Sequence, residues 1–301
     1  MSAQSATAGA GQLVPRDLSL LLLINLIWGL NLVAGKIGVQ HFPPVFFTVL
    51  RFGMVSACLL PFLRWHSGQM AAITRAALYT GGIAFALLFC GLRITADAST
   101  VAIATQLGVP FSTLLSVWLL GETIGWKRRV GIVLAFLGVV IIGFDPRVFT
   151  YWPGLALVVA STFVGSLGLI YIKRLHNISA IQVQAWVSTL SWPVLLVTSL
   201  AVEQGQWTAV AHAETNAWLA LLFTVFGSSL IAHTGWYYLI SRYPVTSVAP
   251  LTLLSPLFGV LFGVTVLNDH LTWRMFVGGA ITLIGVFIVI RRERRLVDTG
   301  T

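Results

Sequence analysis

The chain has 301 residues, of which 57% are hydrophobic and only 9% are charged, and its formal net charge is +9. A soluble protein of this composition could not cover its surface with polar groups, so a soluble globular fold is excluded. The basic residues are scattered between apolar runs rather than gathered on one polar domain, so no nucleic-acid partner is expected.

Ten segments are long and apolar enough to span a membrane, which takes about 20 mostly apolar residues. In chain order they cover residues 17–38, 43–64, 73–92, 97–119, 128–144, 152–172, 179–200, 216–240, 245–266 and 273–291. The short connections carry the Gly, Pro, Asp and Arg that the spans avoid. We therefore predict an all-α integral membrane protein, with a flexible tail at residues 1–16 and a basic tail at residues 292–301.

The positions of Lys and Arg predict the orientation, because these residues are retained on the cytoplasmic side during insertion. With a cytoplasmic N-terminus, the inner segments hold thirteen of the eighteen basic residues, and the outer segments hold only Arg93, Arg147 and Arg274. The first segment lacks the pattern of a cleaved signal peptide. Both termini are therefore predicted to be cytoplasmic.

The sequence GETIGWKRRVG at residues 121–131 returns in altered form as NDHLTWRMFVG at residues 268–278, which indicates an internal repeat. A shift of 147 residues without gaps places Leu120, Glu122, Trp126, Val130, Gly131, Gly138 and Val139 on Leu267, Asp269, Trp273, Val277, Gly278, Gly285 and Val286. Each repeat holds five spans, an odd number. The second repeat, residues 152–291, is therefore predicted to lie inverted relative to the first, residues 17–144.

The ten spans, the repeated acidic turn and the segment WGLNLVAGK at residues 28–36 resemble the drug/metabolite transporter superfamily in its ten-helix EamA-type family. The resemblance covers the whole chain and is closest to bacterial amino-acid and metabolite exporters. It implies two inverted five-helix repeats around a central cavity, alternating access, no cofactor and a place in the bacterial inner membrane. The small four-helix multidrug members carry an essential Glu in the first helix, where this chain has Asn25 and Asn31, so their proton-coupled mechanism is not expected.

Polar and aromatic side chains within spans are the candidates for substrate binding, because a polar group facing lipid is costly. The candidates are Trp28, Asn31, Tyr79, Gln106, Phe163, Ser166, Trp186, His233 and Tyr237. Ordinary helix packing is the alternative for each of them, and interfacial anchoring is a further alternative for the Trp and Tyr residues. His233 is either a packing residue or a titratable group in the pathway.

Two prolines and four charged residues allow more than one interpretation. Pro110 and Pro256 lie at nearly matching places in the fourth and ninth spans, where kinks either bend during gating or only shape the cavity. Lys36 and Arg51 either extend toward the head groups, which the sequence favours, or attract a substrate carboxylate at the outer mouth. The paired acids Glu122 and Asp269 are expected to stabilise a helix start rather than to act in transport.

No enzyme site and no metal site is predicted, because His and Cys lack ligand spacing and no nucleophile lies beside a base. We expect an exporter of small metabolites, namely amino acids including aromatic and other neutral ones, whose partners are the small-molecule substrate and the lipid bilayer. The alternatives are transport of drugs or nucleotide sugars and, from another class, a membrane receptor or scaffold. Nucleotide sugars would call for several inward Lys or Arg at midspan, and a scaffold would show no saturable transport.

Overall fold

The computed structural model describes residues 14–120, 124–243 and 249–291, and within these residues the chain forms ten long helices and no strand. They are α1 (Pro15–His41), α2 (Pro44–Leu59), α3 (Met70–Ile94), α4 (Ala98–Ala104 continued by Thr105–Leu107 and Gly108–Leu120), α5 (Trp126–Gly143), α6 (Trp152–Lys173), α7 (Ala180–Val202), α8 (Thr215–Leu222 continued by Phe223–His233 and Thr234–Arg242), α9 (Ala249–Leu253 continued by Leu254–Leu267) and α10 (Trp273–Arg291). The ten predicted spans coincide with these helices to within a few residues. Glu122, residues 1–13 of the predicted N-terminal tail and the tail at residues 292–301 lie outside the described residues, and the last two residues of the predicted N-terminal tail already belong to α1.

The helices have the length and composition of a membrane protein. Seven of them, α1–α4 and α6–α8, are long and apolar enough to cross a bilayer, and α9 and α10 contain the shorter apolar segments Leu251–Leu267 and Trp273–Val289. Helix α5 carries Lys127, Arg128 and Arg129 in its first turn, followed by an apolar stretch. In a bilayer, helices satisfy every backbone hydrogen bond internally, which explains the all-α class.

The contacts between helices are symmetric under exchange of the two repeats. Helix α1 packs on α9 and α8, and the matching helix α6 packs on α4 and α3. Helices α2 and α7 pack on each other, as do α5 and α10. When each helix is exchanged for its equivalent in the other repeat, five helices away in the chain, the same pairs of helices are in contact. This symmetry is expected for repeats related by a two-fold axis.

The contact between α5 and α10 shows that the second repeat is inverted. A Cβ added at Gly131 would lie 2.8 Å from the carbonyl oxygen of Gly285, and one added at Gly278 would lie 2.6 Å from that of Gly138. Gly131, near the start of α5, thus faces the C-terminal half of α10, whereas Gly138, further along α5, faces the N-terminal part of α10. The two helices therefore run antiparallel. Thr282 Oγ1 donates to the Ala135 carbonyl at 3.4 Å. These two residues differ by the repeat shift of 147, so they lie at the two-fold axis.

Irregular turns interrupt the cavity-forming helices at matching places in the two repeats. Helices α3 and α8 contain π-helical segments, Leu78–Ile83 and Phe223–His233. Helices α4 and α9 contain 3₁₀ segments, each followed by an α-helical segment in which Pro110 or Pro256 is the third residue. Such breaks are frequent at functional sites and at bends in membrane helices.

Candidate functional site

A cavity of about 730 Å³ lies between the two repeats. Its walls come mainly from α2, α3 and α4 of the first repeat and from α6, α7 and α8 of the second, while α1 contributes Trp28 alone. Helices α5 and α10 contribute only Arg128 and Val289, because they pack chiefly on each other. The cavity is therefore central, and the last helix of each repeat lies at its margin.

The cavity extends to one end of the helix bundle, which we call the basic end. The basic end carries Arg64, Arg75, Lys127, Arg129, Lys173, Arg174 and Arg242. The lining includes Ser116, Lys173 and Ile178, which lie at the ends of α4 and α6 and just before α7. The opposite end, called the acidic end, carries Asp97, Asp145, Glu203, Glu214 and Asp269. None of these acidic residues lines the cavity.

A layer of hydrogen bonds joins the helices at the acidic end. Asp269, in the turn before α10, accepts from the Ser99 amide at 2.8 Å and from the Ser99 hydroxyl at 2.7 Å, so its carboxylate lies at the start of α4. Lys36 is buried and donates to the carbonyls of Leu92, at 2.8 Å, and Thr95. The sequence favoured a Lys36 side chain that extends toward head groups. The structure instead uses it to hold α1 to the end of α3.

Tyr151 and Asp97 form a further bond in this layer. The Tyr151 hydroxyl donates to Asp97 Oδ2 at 2.8 Å. Burial, together with this bond, holds the pKa of Tyr151 above its ordinary value, so the phenol keeps the proton that it donates. In the second repeat, Glu203 accepts from the amides of Val45 and Phe46 at 2.8 and 2.9 Å and thereby ties the end of α7 to the start of α2. The acidic end is thus closed by bonds within and between the repeats.

Arg51 lies in the cavity wall, and its side chain is 0% exposed to solvent. Its Nε donates to Ser229 Oγ at 2.9 Å and its Nη2 to Ser228 Oγ at 3.1 Å. Its Nη1 lies 3.5 Å from Asn31 Oδ1, and the guanidinium carbon lies 4.7 Å from the centre of the Phe85 ring. The prediction that the Arg51 side chain extends toward the head groups is therefore wrong, because it forms hydrogen bonds with two serines of α8 inside the protein.

His233, Trp28 and Trp236 form an aromatic group in the wall near Arg51. The Trp28 ring lies 5.5 Å from the His233 ring and 5.7 Å from the Trp236 ring, edge to face in both cases. His233 Nδ1 lies 2.6 Å from the Ser228 carbonyl oxygen. Since a carbonyl only accepts, Nδ1 carries a proton and donates it to Ser228.

Four of the nine predicted binding residues line the cavity: Trp28, Ser166, His233 and Tyr237. The Ser166 hydroxyl donates to the Thr162 carbonyl at 2.7 Å and lies 3.1 Å from that of Gly108, so it also serves helix packing. Asn31 lies behind the wall, as a partner of Arg51.

The remaining four candidates lie away from the lining. Phe163 is 38% exposed and lines a separate apolar groove of about 650 Å³ bordered by α4, α5 and α6. Tyr79 stacks on Tyr171, and Trp186 Nε1 donates to the Arg64 carbonyl at 3.0 Å, beyond the end of α2. Gln106 belongs to the 3₁₀ turn of α4 and lines neither space.

Sequence reasoning overlooked several lining residues, most of them hydroxyl-bearing or aromatic. They include Phe52, Phe85, Thr105, Ser112, Thr113, Ser116, Gln184 and Ser229. Their polarity is too small to distinguish them from packing residues in a single sequence. Arg51 did carry a usable signal, since a charge inside a span indicates a functional site by default.

Comparison with known proteins relates the chain to membrane transporters. The model of the EamA-like transporter family matches residues 17–144 and again residues 152–291. A probable amino-acid metabolite efflux pump of Escherichia coli (strain K12) is 27% identical over 299 residues, covering 95% of this chain and 99% of that protein. A probable amino-acid metabolite efflux pump of Salmonella typhimurium is 26% identical over 282 residues, covering 91% and 94%.

Two more distant similarities extend this picture. A biotin transporter of Salmonella typhimurium is 22% identical over 285 residues, covering 91% of this chain and 93% of that protein. One solved crystal structure superimposes with a TM-score of 0.61 at 19% identity and covers 93% of this chain and 98% of its own. The latter likeness concerns the fold alone.

Proposed function

The chain belongs to the EamA-like transporter family, and from this premise we propose that it exports small metabolites, namely amino acids including aromatic and other neutral ones, by alternating access. The matched family and the named relatives are transporters, and two of those relatives are probable amino-acid metabolite efflux pumps. Their identities to this chain are 27% and 26%, so the substrate class rests on the cavity as much as on the relatives.

The observation that carries the proposal is a cavity of about 730 Å³ that both repeats enclose and that reaches the basic end only. Sites for single small ligands have volumes of about 300–1,000 Å³. The acidic end is closed by the bonds of Asp269, Lys36 and Tyr151. One closed and one open end is the arrangement expected of a transporter that opens to its two sides in turn.

The cavity lining suits a zwitterion with a variable side chain. Hydroxyls such as those of Thr105 and Ser112 offer hydrogen bonds without a fixed charge. Trp28 and Trp236 offer aromatic faces, which attract an ammonium group or cover an apolar side chain. Hydroxyls and aromatic faces are not specific to one side chain, so such a site accepts several amino acids.

The basic end is proposed to face the cytoplasm of a bacterial cell, with both termini on that side of the inner membrane. The support is the excess of Lys and Arg at that end and the bacterial origin of the two efflux-pump relatives. The cavity would then load from the cytoplasm and release outward.

Counterflow in proteoliposomes tests the proposal. Liposomes containing purified protein are loaded with an unlabelled compound, and uptake of the same compound in labelled form is followed for each amino acid, several drugs, biotin and a nucleotide sugar in turn. We expect saturable exchange with several neutral amino acids, aromatic ones included, above that of protein-free liposomes. Exchange driven only by a drug, biotin or a nucleotide sugar would contradict the proposed substrate class, and no exchange with any compound would favour a scaffold.

A further inference from the structure

Arg51 is a buried cation for which the described part of the chain supplies no carboxylate. Its side chain is 0% exposed, and no Asp or Glu oxygen of residues 14–120, 124–243 and 249–291 lies within hydrogen-bond distance of its guanidinium. Its neighbours are two hydroxyls, one amide oxygen and three aromatic rings, those of Phe85, Phe52 and Phe89. Burying an unpaired charge is costly, and intramembrane ionisable residues usually mark substrate pathways.

The hydrogen bonds of Arg51 use only some of the N–H donors of its guanidinium. Nε donates to the Ser229 hydroxyl at 2.9 Å, and Nη2 donates to the Ser228 hydroxyl at 3.1 Å. A guanidinium has five N–H donors, two of them on each terminal nitrogen. Asn31 takes one from Nη1 at 3.5 Å, the limit for such a bond. One N–H on each of Nη1 and Nη2 therefore has no partner among the described residues.

Two N–H groups on the terminal nitrogens of an arginine match the two oxygens of a carboxylate. Because Arg51 lies in the cavity wall, we infer that it binds the carboxylate of the transported substrate once the side chains that cover its guanidinium move aside. This inference rests on the proposed function and narrows it: the substrate must carry a carboxylate, and an amide or ester of the same compound is a poor substrate. The buried position of Arg51 strengthens the pairing, because a charge pair is weakly screened at low dielectric.

The same contacts place the carboxylate between the repeats. Arg51 and Asn31 belong to α2 and α1 of the first repeat, whereas Ser228 and Ser229 belong to the π-helical segment of α8 in the second. His233 ends that segment and bonds the Ser228 carbonyl, so the carboxylate site and the aromatic group share one turn of α8. A bound carboxylate thus contacts a residue that links the two halves, which must move relative to each other during alternating access.

The test compares ligands that differ only at the carboxylate, in the wild type and in Arg51→Gln. L-Phenylalanine and L-phenylalaninamide compete for counterflow of labelled L-phenylalanine, and the ratio of their inhibition constants is measured. We expect the wild type to prefer the acid by at least about tenfold, the effect of one charge-assisted pair. In Arg51→Gln this preference disappears, while inhibition by the amide changes little.

Arg274→Gln is the matched control, since it also removes one positive charge. Arg274 lies outside the cavity, donating to the Phe144 carbonyl at 3.2 Å, so the acid preference should stay at the wild-type value. If Arg51→Gln is not recovered folded, Arg51→Lys replaces it. A lysine cannot form two parallel N–H bonds, so the preference for the acid should fall at least about threefold.

The outcomes separate this inference from the proposed function. Exchange of L-phenylalanine by the wild type with equal inhibition by acid and amide would overturn the carboxylate site and leave amino-acid export standing. An unchanged acid preference in folded Arg51→Gln or Arg51→Lys would do the same. If no amino acid is exchanged but biotin is, and Arg51→Gln abolishes its exchange, the carboxylate site stands and the amino-acid assignment falls. No exchange of any carboxylate would remove both.

Discussion

Trp28 is the residue through which the cavity is expected to sense the substrate side chain. Its ring lies against His233 and Trp236, and its indole N–H has no hydrogen-bond partner among the described residues. A buried donor without a partner calls for a ligand or a water, because desolvating it is costly. Trp28 thus presents an aromatic side chain to the cavity and has a buried N–H without a partner among the described residues.

Replacing Trp28 and replacing Asn31 should have different effects on transport. Trp28→Ala removes the aromatic face, so the rates for aromatic amino acids should fall by about tenfold and those for small ones by less, which changes the ranking. Asn31→Ala removes only a 3.5 Å contact to Arg51, which serves every substrate, so all rates should fall together by about two- to threefold.

Counterflow rates for a set of amino acids check both expectations, with Phe163→Ala as the aromatic control outside the cavity. Phe163 lines the separate apolar groove, so its loss should leave the ranking unchanged. An unchanged ranking in folded Trp28→Ala, or the same change of ranking in Phe163→Ala, would argue against recognition at Trp28.

The sequence identified which spans carry polar residues better than it identified which residues face the cavity. Phe163 and Ser166 lie three positions apart in α6, yet Phe163 lines the separate apolar groove and Ser166 lines the central cavity. The rotation of a membrane helix about its axis is set by packing against its neighbours, which a single sequence does not show. Arg51 was misjudged for the same reason, since its direction depends on Ser228 and Ser229, 177 and 178 residues away in sequence.

At the scale of elements, the two repeats share the same irregularities. Both α3 and α8 contain a π-helical segment, and both α4 and α9 contain a 3₁₀ turn ahead of Pro110 or Pro256. A proline cannot donate to the carbonyl four residues before it, which weakens the helix at that place. We keep the gating role of these prolines as a proposal, since a static bend would produce the same breaks.

The contact between α5 and α10 should tolerate no bulk at its glycines. A Cβ at Gly131 or Gly278 would lie within 2.8 Å of a backbone oxygen on the facing helix, so Gly131→Leu and Gly278→Leu must separate the two helices. Overpacking of this kind costs about 1–3 kcal/mol or more, because the obstacle is backbone and cannot rotate away. Thermal unfolding in detergent should show a lower midpoint for both variants.

Gly53→Leu is the matched control for these substitutions. A Cβ at Gly53 meets nothing within 4 Å, so this variant should unfold at the temperature of the wild type. Wild-type unfolding temperatures and full transport in Gly131→Leu and Gly278→Leu would contradict the close antiparallel contact.

At the scale of the whole molecule, the fold was predictable and the conformation was not. Hydropathy predicted the ten helices, because the bilayer admits few other structures. The 147-residue shift predicted which positions of the two repeats are equivalent, and the equivalent residues Ala135 and Thr282 are in contact in the structure. Which end is open depends on small free-energy differences between arrangements of the same helices. The structure has the acidic end closed, and the symmetry of the repeats predicts a second state with that end open.

The most direct test of the account is the accessibility of Gly165→Cys, introduced after the native Cys58 and Cys90 are replaced by alanine. Gly165 lines the cavity, and a Cβ there meets nothing closer than the Ala84 side chain at 3.6 Å. In separate variants, Lys127→Cys marks the basic end and His270→Cys marks the acidic end. An impermeant maleimide is applied to inside-out and right-side-out membrane vesicles, with and without L-phenylalanine.

Lys127→Cys should be labelled from the cytoplasmic side and His270→Cys from the other side, as the inverted repeat requires. Gly165→Cys should follow Lys127→Cys, and L-phenylalanine should slow its labelling, because the substrate occupies the cavity that opens at the basic end. Labelling of both markers from one side would contradict the inversion. Labelling of Gly165→Cys that L-phenylalanine does not affect, or that proceeds equally fast from both sides, would contradict a substrate-binding cavity with one open end.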